Sequence, residues 1–131
     1  MGIWIIMLIA TLLTPIIMIG FGSLFAKKAP AKINNFYGYR TPMSRKNMDT
    51  WVVAHNYSGN LMRKYGWILL PISAIAMFFV IDKEEEVVAI FGTIIVGVQI
   101  FFIFLSIFFT ERMLRKIFDK EGNRRDLNEN S

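Results

Sequence analysis

An uncharged apolar run opens this chain and limits, more than any other feature, what it can fold into. From Ile3 to Ala26 there is no Asp, Glu, Lys or Arg. As a helix with a rise of about 1.5 Å per residue, the run exceeds the roughly 30 Å hydrocarbon core of a bilayer. Lys27 and Lys28 follow the run and no basic residue precedes it, which favours an uncleaved anchor over a secretory signal peptide. We therefore predict a membrane-spanning helix here.

Two further apolar runs complete a predicted set of three spans. Val87–Thr110 is as long as the first run and uncharged, and its Gln99 is expected to hydrogen-bond to a neighbouring helix, because an amide in hydrocarbon needs a partner. Trp67–Ile81 is shorter, and length alone leaves it open as a buried or re-entrant segment. The chain is 54% hydrophobic, more than is usual for a soluble domain. We expect one membrane domain over residues 1–131, with spans at about 3–26, 67–81 and 87–110.

The charges between these runs are strongly asymmetric. Residues 27–66 hold eight basic residues and the single acid Asp49, whereas Asp82–Glu86 holds four acids and one lysine. The positive-inside rule puts the first segment in the cytoplasm and the second outside, so the short run must cross the membrane. The N-terminus then lies outside and the basic tail 111–131 in the cytoplasm, where it is expected to fray from Glu121 onward. The net charge of +5 reflects this topology and anionic lipid headgroups rather than nucleic acid.

The segment between the first two spans is predicted to form a loop followed by an amphipathic helix. Pro30 should end the first helix, and Ser44 is a suitable N-cap for the next one. With no helix breaker before Gly59, we predict a helix from about Arg45 to Lys64. At helical spacing one of its faces is apolar: Met48, Trp51, Val52, His55, Gly59 and Met62. The predicted fold is therefore all-α, with three transmembrane helices plus one cytoplasmic amphipathic interfacial helix in contact with membrane lipids.

The candidate functional residues lie in the same segment. Arg40 presents a planar fork of donors that could close over the stripe formed by Trp51 and His55, or bond to backbone carbonyl groups nearby. His55 is the only histidine and the chain has no cysteine, so we predict no metal site, no cofactor and no catalytic residues. We interpret His55 as a hydrogen-bonded packing residue, with a pH-sensitive or ligand-sensitive contact as the alternative. The predicted functional cluster is Asn35, Gly38, Arg40, Thr41, Trp51, His55 and Gly59.

The spacing within this cluster resembles the signature of the SdpI/YfhL family of bacterial membrane immunity proteins. The shared pattern is Asn35, Gly38-Tyr39-Arg40-Thr41-Pro42, Ser44, Asn47, and then Trp51, His55 and Gly59 at intervals of four. Tyr39 stands where the family commonly has an aliphatic residue, and longer members carry additional membrane helices upstream. The resemblance implies a three-span unit in the bacterial cell membrane, with the motif between its first two helices.

The same resemblance implies a non-enzymatic protein that protects its cell against a secreted, membrane-active antimicrobial peptide toxin. It also raises signalling as a second role, in which toxin binding rearranges the protein and a cytosolic regulator is recruited. An accessory subunit of a membrane transporter or other membrane complex is the alternative from a different class, because a basic cytoplasmic helix would suit docking of a partner. An intramembrane enzyme is disfavoured, since paired carboxylates and metal ligands are missing. The identity of the toxin and the formation of a homo-oligomer stay open.

Overall fold

The computed structural model describes residues 2–125 and folds them into three long helices. These are α1 (Gly2–Lys27), α2 (Met48–Phe78) and α3 (Glu85–Ile117). Each is long and apolar enough to cross a membrane, since even the shortest extends about 39 Å against a hydrocarbon core of roughly 30 Å. The prediction of an all-α protein with three helices able to span a membrane is confirmed.

α2 departs from the sequence prediction because it is one continuous helix. The interfacial helix expected from about Arg45 to Lys64 is joined to the short span that follows it, and residues 2–125 contain no separate interfacial helix. Glycines at positions 59 and 66 weaken the local preference for helix by about 1 kcal/mol each. In the structure both lie against α1, where packing between helices outweighs that weak local preference.

The start of α2 is fixed by a cap that the sequence prediction assigned to the wrong residue. Asn47 is the N-cap: its side chain accepts a hydrogen bond from the Thr50 N–H at 2.9 Å, and the Thr50 hydroxyl accepts one from the Asn47 N–H at 3.1 Å. This reciprocal arrangement satisfies two donors that the beginning of a helix leaves free. Ser44, the expected cap, is instead buried in the preceding loop, where its hydroxyl accepts from the Thr41 N–H at 2.9 Å.

The buried face of α2 is rotated relative to the predicted apolar face. Trp51 and His55 are fully buried, as is Ala54, whereas Met48 and Val52 are exposed. The sequence pattern groups residues by polarity, but burial is decided by which side of α2 meets the other helices. Because α2 packs against both α1 and α3, its buried surface extends toward Ala54, and its exposed apolar residues lie on the far side.

α1 and α2 run antiparallel and approach each other backbone to backbone. A Cβ atom on Gly59 would lie 2.5 Å from the backbone nitrogen of Ala26, and one on Gly22 would lie 2.7 Å from the Gly59 carbonyl oxygen. Farther along the pair, a Cβ atom on Gly66 would lie 2.8 Å from the carbonyl oxygen of Pro15. Small residues permit such close contact between membrane helices. Gly59, one of the predicted site residues, therefore sets the crossing of the two helices.

Polar side chains join the helices within the apolar interior. The Gln99 amide of α3 donates to the Thr11 carbonyl oxygen of α1 at 2.6 Å and to the Ser73 hydroxyl of α2 at 2.9 Å, which confirms the interhelical role predicted for it. Near the turn between α2 and α3, the indole of Trp4 donates to the Met77 carbonyl oxygen at 2.7 Å. These bonds satisfy donors that hydrocarbon could not, and they fix how the three helices face one another.

The end of the described chain folds back onto the start of α2. Residues 118–125, here named the C-terminal turn, form a tight reversal in which Gly122 has a φ of 87°. Arg124 forms a salt bridge with Asp49 at 2.7 Å, and the Asn47 amide donates to the Gly122 carbonyl oxygen at 2.9 Å. The C-terminal turn therefore lies at the same end of the helix bundle as the loop before α2.

The prediction for the end of α1 and the prediction for the end of the chain had different outcomes. α1 ends at Lys27, close to Pro30, as the sequence indicated. Fraying was predicted for Glu121–Ser131, but residues 121–125 belong to the C-terminal turn, and the remaining residues 126–131 lie outside the described part of the chain. Composition alone could not predict this docking, because the contacts that fix the turn come from α2.

Candidate functional site

The loop between α1 and α2, residues 28–47, is fastened to α2 through Trp51 and His55 as well as through Thr50 at the start of the helix; we name it the motif loop. The Trp51 indole donates to the Pro30 carbonyl oxygen at 2.9 Å, and the Tyr39 N–H donates to Nε2 of His55 at 2.8 Å. Trp51 and His55 are four residues apart and so lie on one stripe of the helix, with ring centroids 4.2 Å apart. This stripe forms the surface on which the motif loop rests.

His55 acts as a connector between two backbone groups. Its Nδ1 lies 2.8 Å from the Trp51 carbonyl oxygen, which can only accept, so Nδ1 carries the ring hydrogen. Nε2 is then the acceptor for the Tyr39 N–H. The geometry thus requires the neutral imidazole, with neither nitrogen left over for a metal or a substrate. The ring also packs nearly perpendicular to Phe25 of α1, with 5.2 Å between centroids, which ties the loop to two helices.

Gly38 makes the bond between Tyr39 and His55 possible. Its φ of 97° lies in the left-handed region that glycine adopts without strain. A Cβ atom at this position would lie 2.5 Å from Nε2 of His55, inside any permitted contact. Only glycine allows the backbone to come this close to the imidazole and present the next N–H to it.

A carboxylate on α3 binds the other side of the motif loop. The Tyr39 hydroxyl donates to Oε2 of Glu111 at 2.6 Å, and the Thr41 hydroxyl donates to the same oxygen at 2.8 Å. Burial, reinforced by the hydrogen bond to Glu111 and by its negative charge, raises the pKa of Tyr39 well above its ordinary value. Thr41, a residue of the predicted cluster, thus bonds to α3, and Tyr39 links α2, through His55, to α3.

Sequence reasoning missed Glu111. One signal was present: Glu111 directly follows the third apolar run and is the single acid before a series of basic residues, Arg112, Arg115 and Lys116. A carboxylate in that position, at a membrane interface, needs donors close by. The donors come from the motif loop, which is distant in sequence, so the pattern could indicate the need for a partner but not its identity.

Arg40 and Asn35 lie at the exposed rim of the motif loop. The Arg40 guanidinium donates to the Asn35 carbonyl oxygen, and that of Arg45 donates to the Asn35 side-chain oxygen. Arg40 is exposed and does not close over the stripe of Trp51 and His55, the first of the two arrangements predicted for it. It bonds to a carbonyl group of its own loop, because Tyr39 already occupies the position above His55.

The predicted cluster therefore separates into three parts. Gly38, Thr41, Trp51 and His55 belong to one connected network, together with residues that the prediction left out: Tyr39, Ser44 and Glu111. Asn35 and Arg40 form a neighbouring pair at the exposed rim. Gly59 lies one helical turn beyond His55, at the crossing with α1. The arrangement is suited to holding a loop in one conformation against three helices.

Three helices able to span a membrane, with an irregular loop fastened across one end of the bundle, define a small multi-pass membrane protein. The chain belongs to the SdpI/YfhL protein family: the family model matches residues 31–110, more than half of the chain. The match includes most of the motif loop, all of α2 and most of α3. No curated protein and no solved structure matches the chain. The family is one of membrane immunity proteins and is not known for enzymatic activity.

Proposed function

We propose that this protein protects a bacterial cell against a secreted, membrane-active antimicrobial peptide. The observation that carries the proposal is the family match over residues 31–110, which includes the network around His55 except for Glu111. In that network the polar groups bind one another rather than surrounding a vacant reaction site. Such an arrangement suits a protein that acts by binding and by holding a conformation in the membrane.

The orientation we propose places the motif loop in the cytoplasm and the N-terminus outside. Eight basic residues and one acid lie in residues 27–66, whereas four acids and one lysine form Asp82–Glu86. All five residues of that acidic turn are exposed. An exposed acidic turn at the outer surface would attract a cationic peptide, and the attraction would weaken as salt is added.

A second part of the proposal concerns signalling to a cytosolic regulator. The motif loop, the start of α2 and the C-terminal turn form a continuous surface at one end of the bundle. A peptide bound in the membrane would change this surface only if it had different affinities for two conformations of the bundle. The few bonds that hold the motif loop, from Trp51, His55 and Glu111, are the elements on which such a change would act.

Survival of a sensitive bacterium expressing this protein, during challenge with a panel of membrane-active peptides, tests the proposal. We expect wild type to protect, and we expect His55→Leu and Arg40→Ala to protect less at matched abundance in the membrane. Lys32→Ala, which removes one exposed charge from the same loop, is the matched control and should protect like wild type.

Absence of protection against every peptide would overturn the proposal. Co-purification of the protein with a membrane complex, without protection, would then favour the accessory-subunit alternative. Equal protection by Arg40→Ala and Lys32→Ala would show that the rim formed by Arg40 and Asn35 has no part in immunity.

A further inference from the structure

A cleft of about 320 Å³ lies directly beneath the motif loop, within the range of volumes of small-molecule sites. α1 contributes Ile17 and Phe21 to one wall, and α3 contributes Ile103 to another. α2 forms part of the lining, and Tyr37–Tyr39 of the motif loop line it as well. Nearly the whole lining is apolar.

The mouth of the cleft opens toward lipid rather than water. Ile17 and Phe21 are 45% and 53% exposed, and both belong to the uncharged run of α1 that spans the membrane. Side chains exposed in that run face hydrocarbon. An apolar chain from the surrounding bilayer can therefore enter sideways between α1 and α3.

One polar group in the cleft lacks a partner. Ser58 lines it and is only 5% exposed; its hydroxyl is open to the cleft and has no hydrogen bond to any other residue within 2–125. A hydroxyl removed from water without a partner costs about 1–3 kcal/mol. Ser106, by contrast, donates to the Ile103 carbonyl oxygen at 2.7 Å and is satisfied within its own helix. An occupant that is apolar but carries one acceptor near Ser58 would fit.

The depth of Ser58 indicates what that acceptor is. Ser58 lies three residues beyond His55, about 4.5 Å along the helix axis from the level of the motif loop. Exposed Lys27 and Lys28 follow the cleft residue Phe25 at the end of α1. In a glycerophospholipid the ester carbonyl lies just inside the phosphate, and basic residues at an interface attract anionic headgroups.

We propose that the cleft holds one acyl chain of an anionic glycerophospholipid from the leaflet beside the motif loop. The Ser58 hydroxyl donates to an ester carbonyl of the lipid, and Lys27 and Lys28 interact with its phosphate. The bound lipid then packs against Tyr37–Tyr39 and supports the motif loop from below. This assignment does not depend on the proposed immunity function.

Native mass spectrometry of the purified full-length protein, stripped of lipid and titrated with phosphatidylglycerol or phosphatidylcholine of equal chain length, tests the proposal. We expect one phosphatidylglycerol to bind about tenfold more tightly than phosphatidylcholine. Ile103→Trp and Ile17→Trp should fill the cleft and abolish this binding. Ile100→Trp and Ile16→Trp, on exposed positions of the same helices outside the cleft, are the matched controls and should bind like wild type.

Two milder variants keep the test decisive if a tryptophan disturbs folding. Ser58→Ala should weaken binding about fivefold, as expected for loss of one hydrogen bond. The double change of Lys27 and Lys28 to Gln should reduce the preference for phosphatidylglycerol.

Equal binding by wild type and both cleft-filling variants, or equal binding of the two lipids to wild type, would overturn the proposal. Binding of a peptide in the cleft, with no binding of lipid, would overturn the proposal as well and would assign the cleft to the peptide.

Discussion

His55 is a titratable residue whose surroundings leave it a single useful form. A protonated imidazole would carry hydrogen on Nε2, facing the Tyr39 N–H, so only the neutral ring can hold the motif loop. Gly38 is equally restricted, by its positive φ and by the lack of room for a Cβ atom. The motif is thus a set of mutually dependent contacts. Its polar residues hold the motif loop in place and are not free to bind a ligand without releasing it.

Gly38→Ala should destabilise the protein by about 1–3 kcal/mol, because alanine is strained at this φ and its Cβ would displace the imidazole of His55. Gly20→Ala is the control: apart from the backbone of its own helix and its chain neighbours, no atom lies within 4 Å of its Cβ position, and alanine favours helix. Thermal unfolding of the detergent-solubilised variants measures the difference. Equal midpoints for the two variants would contradict the role given to Gly38.

Tyr39 should make stability depend on pH in the alkaline range. Burial and the neighbouring Glu111 raise the pKa of Tyr39 above the value of about 10 expected for an unfolded chain. Its contribution to stability is therefore complete below about pH 10 and is lost as the pH rises above that value, where only the unfolded chain ionises readily. Thermal unfolding between about pH 9 and about pH 11 should decline more steeply for wild type than for Tyr39→Phe. Parallel curves would show that Tyr39 is not held in its neutral form.

Sequence spacing could predict part of this site and not the rest. The four-residue interval between Trp51 and His55 indicates a shared helix face, because helix geometry converts such spacing into proximity. No comparable rule connects Thr41 with Glu111, which are 70 positions apart and meet only because α3 packs beside the loop. Two arrangements were predicted for Arg40, over the stripe or on backbone carbonyl groups, and the sequence could not show that Tyr39 would occupy the place over the stripe.

At the scale of elements, α2 shows how a boundary between two predicted helices can be wrong. An interfacial helix was predicted to end at about Lys64, before a separate span from Trp67. Long basic side chains can lie along apolar surface while their charged ends reach the headgroups, so a helix can continue past them. At about 46 Å, α2 is long enough to cross the hydrocarbon core and to extend beyond it with Trp51 and His55.

Gly59→Leu should separate α1 from α2 and lower the free energy of unfolding by about 1–3 kcal/mol, the usual cost of overpacking. The reason is that the added atoms meet backbone, Ala26 nitrogen and Gly22 oxygen, rather than a side chain that could move aside. Gly97→Leu is the control, because apart from the backbone of α3 and its chain neighbours no atom lies within 4 Å of its Cβ position. Thermal unfolding in detergent compares them. A stable Gly59→Leu variant would mean that the crossing tolerates a wider separation.

In the whole molecule, the two segments that connect the helices lie at opposite ends of the bundle. The motif loop and the C-terminal turn meet at the start of α2, and the acidic residues 82–86 lie at the other end. The salt bridge of Arg124 with Asp49 is partly exposed and stabilises this meeting by only about 0–1 kcal/mol. Burial of Phe118 contributes more, since an apolar side chain of this kind gains about 1.5–3 kcal/mol on full burial. The C-terminal turn and the motif loop therefore share one side of the membrane whichever way the protein is inserted.

The direction of insertion is the remaining question at this scale, and the absence of cysteine makes it directly measurable. Ala31→Cys places a thiol on the exposed motif loop, and Lys83→Cys places one on the acidic turn. With a membrane-impermeant maleimide, we expect Lys83→Cys to react in intact cells and Ala31→Cys to react only after the membrane is opened, because the basic segment should stay in the cytoplasm. The reverse pattern would put the acidic turn inside the cell. A cationic peptide arriving from outside would then meet the basic motif loop first, and the attraction proposed for immunity would become repulsion.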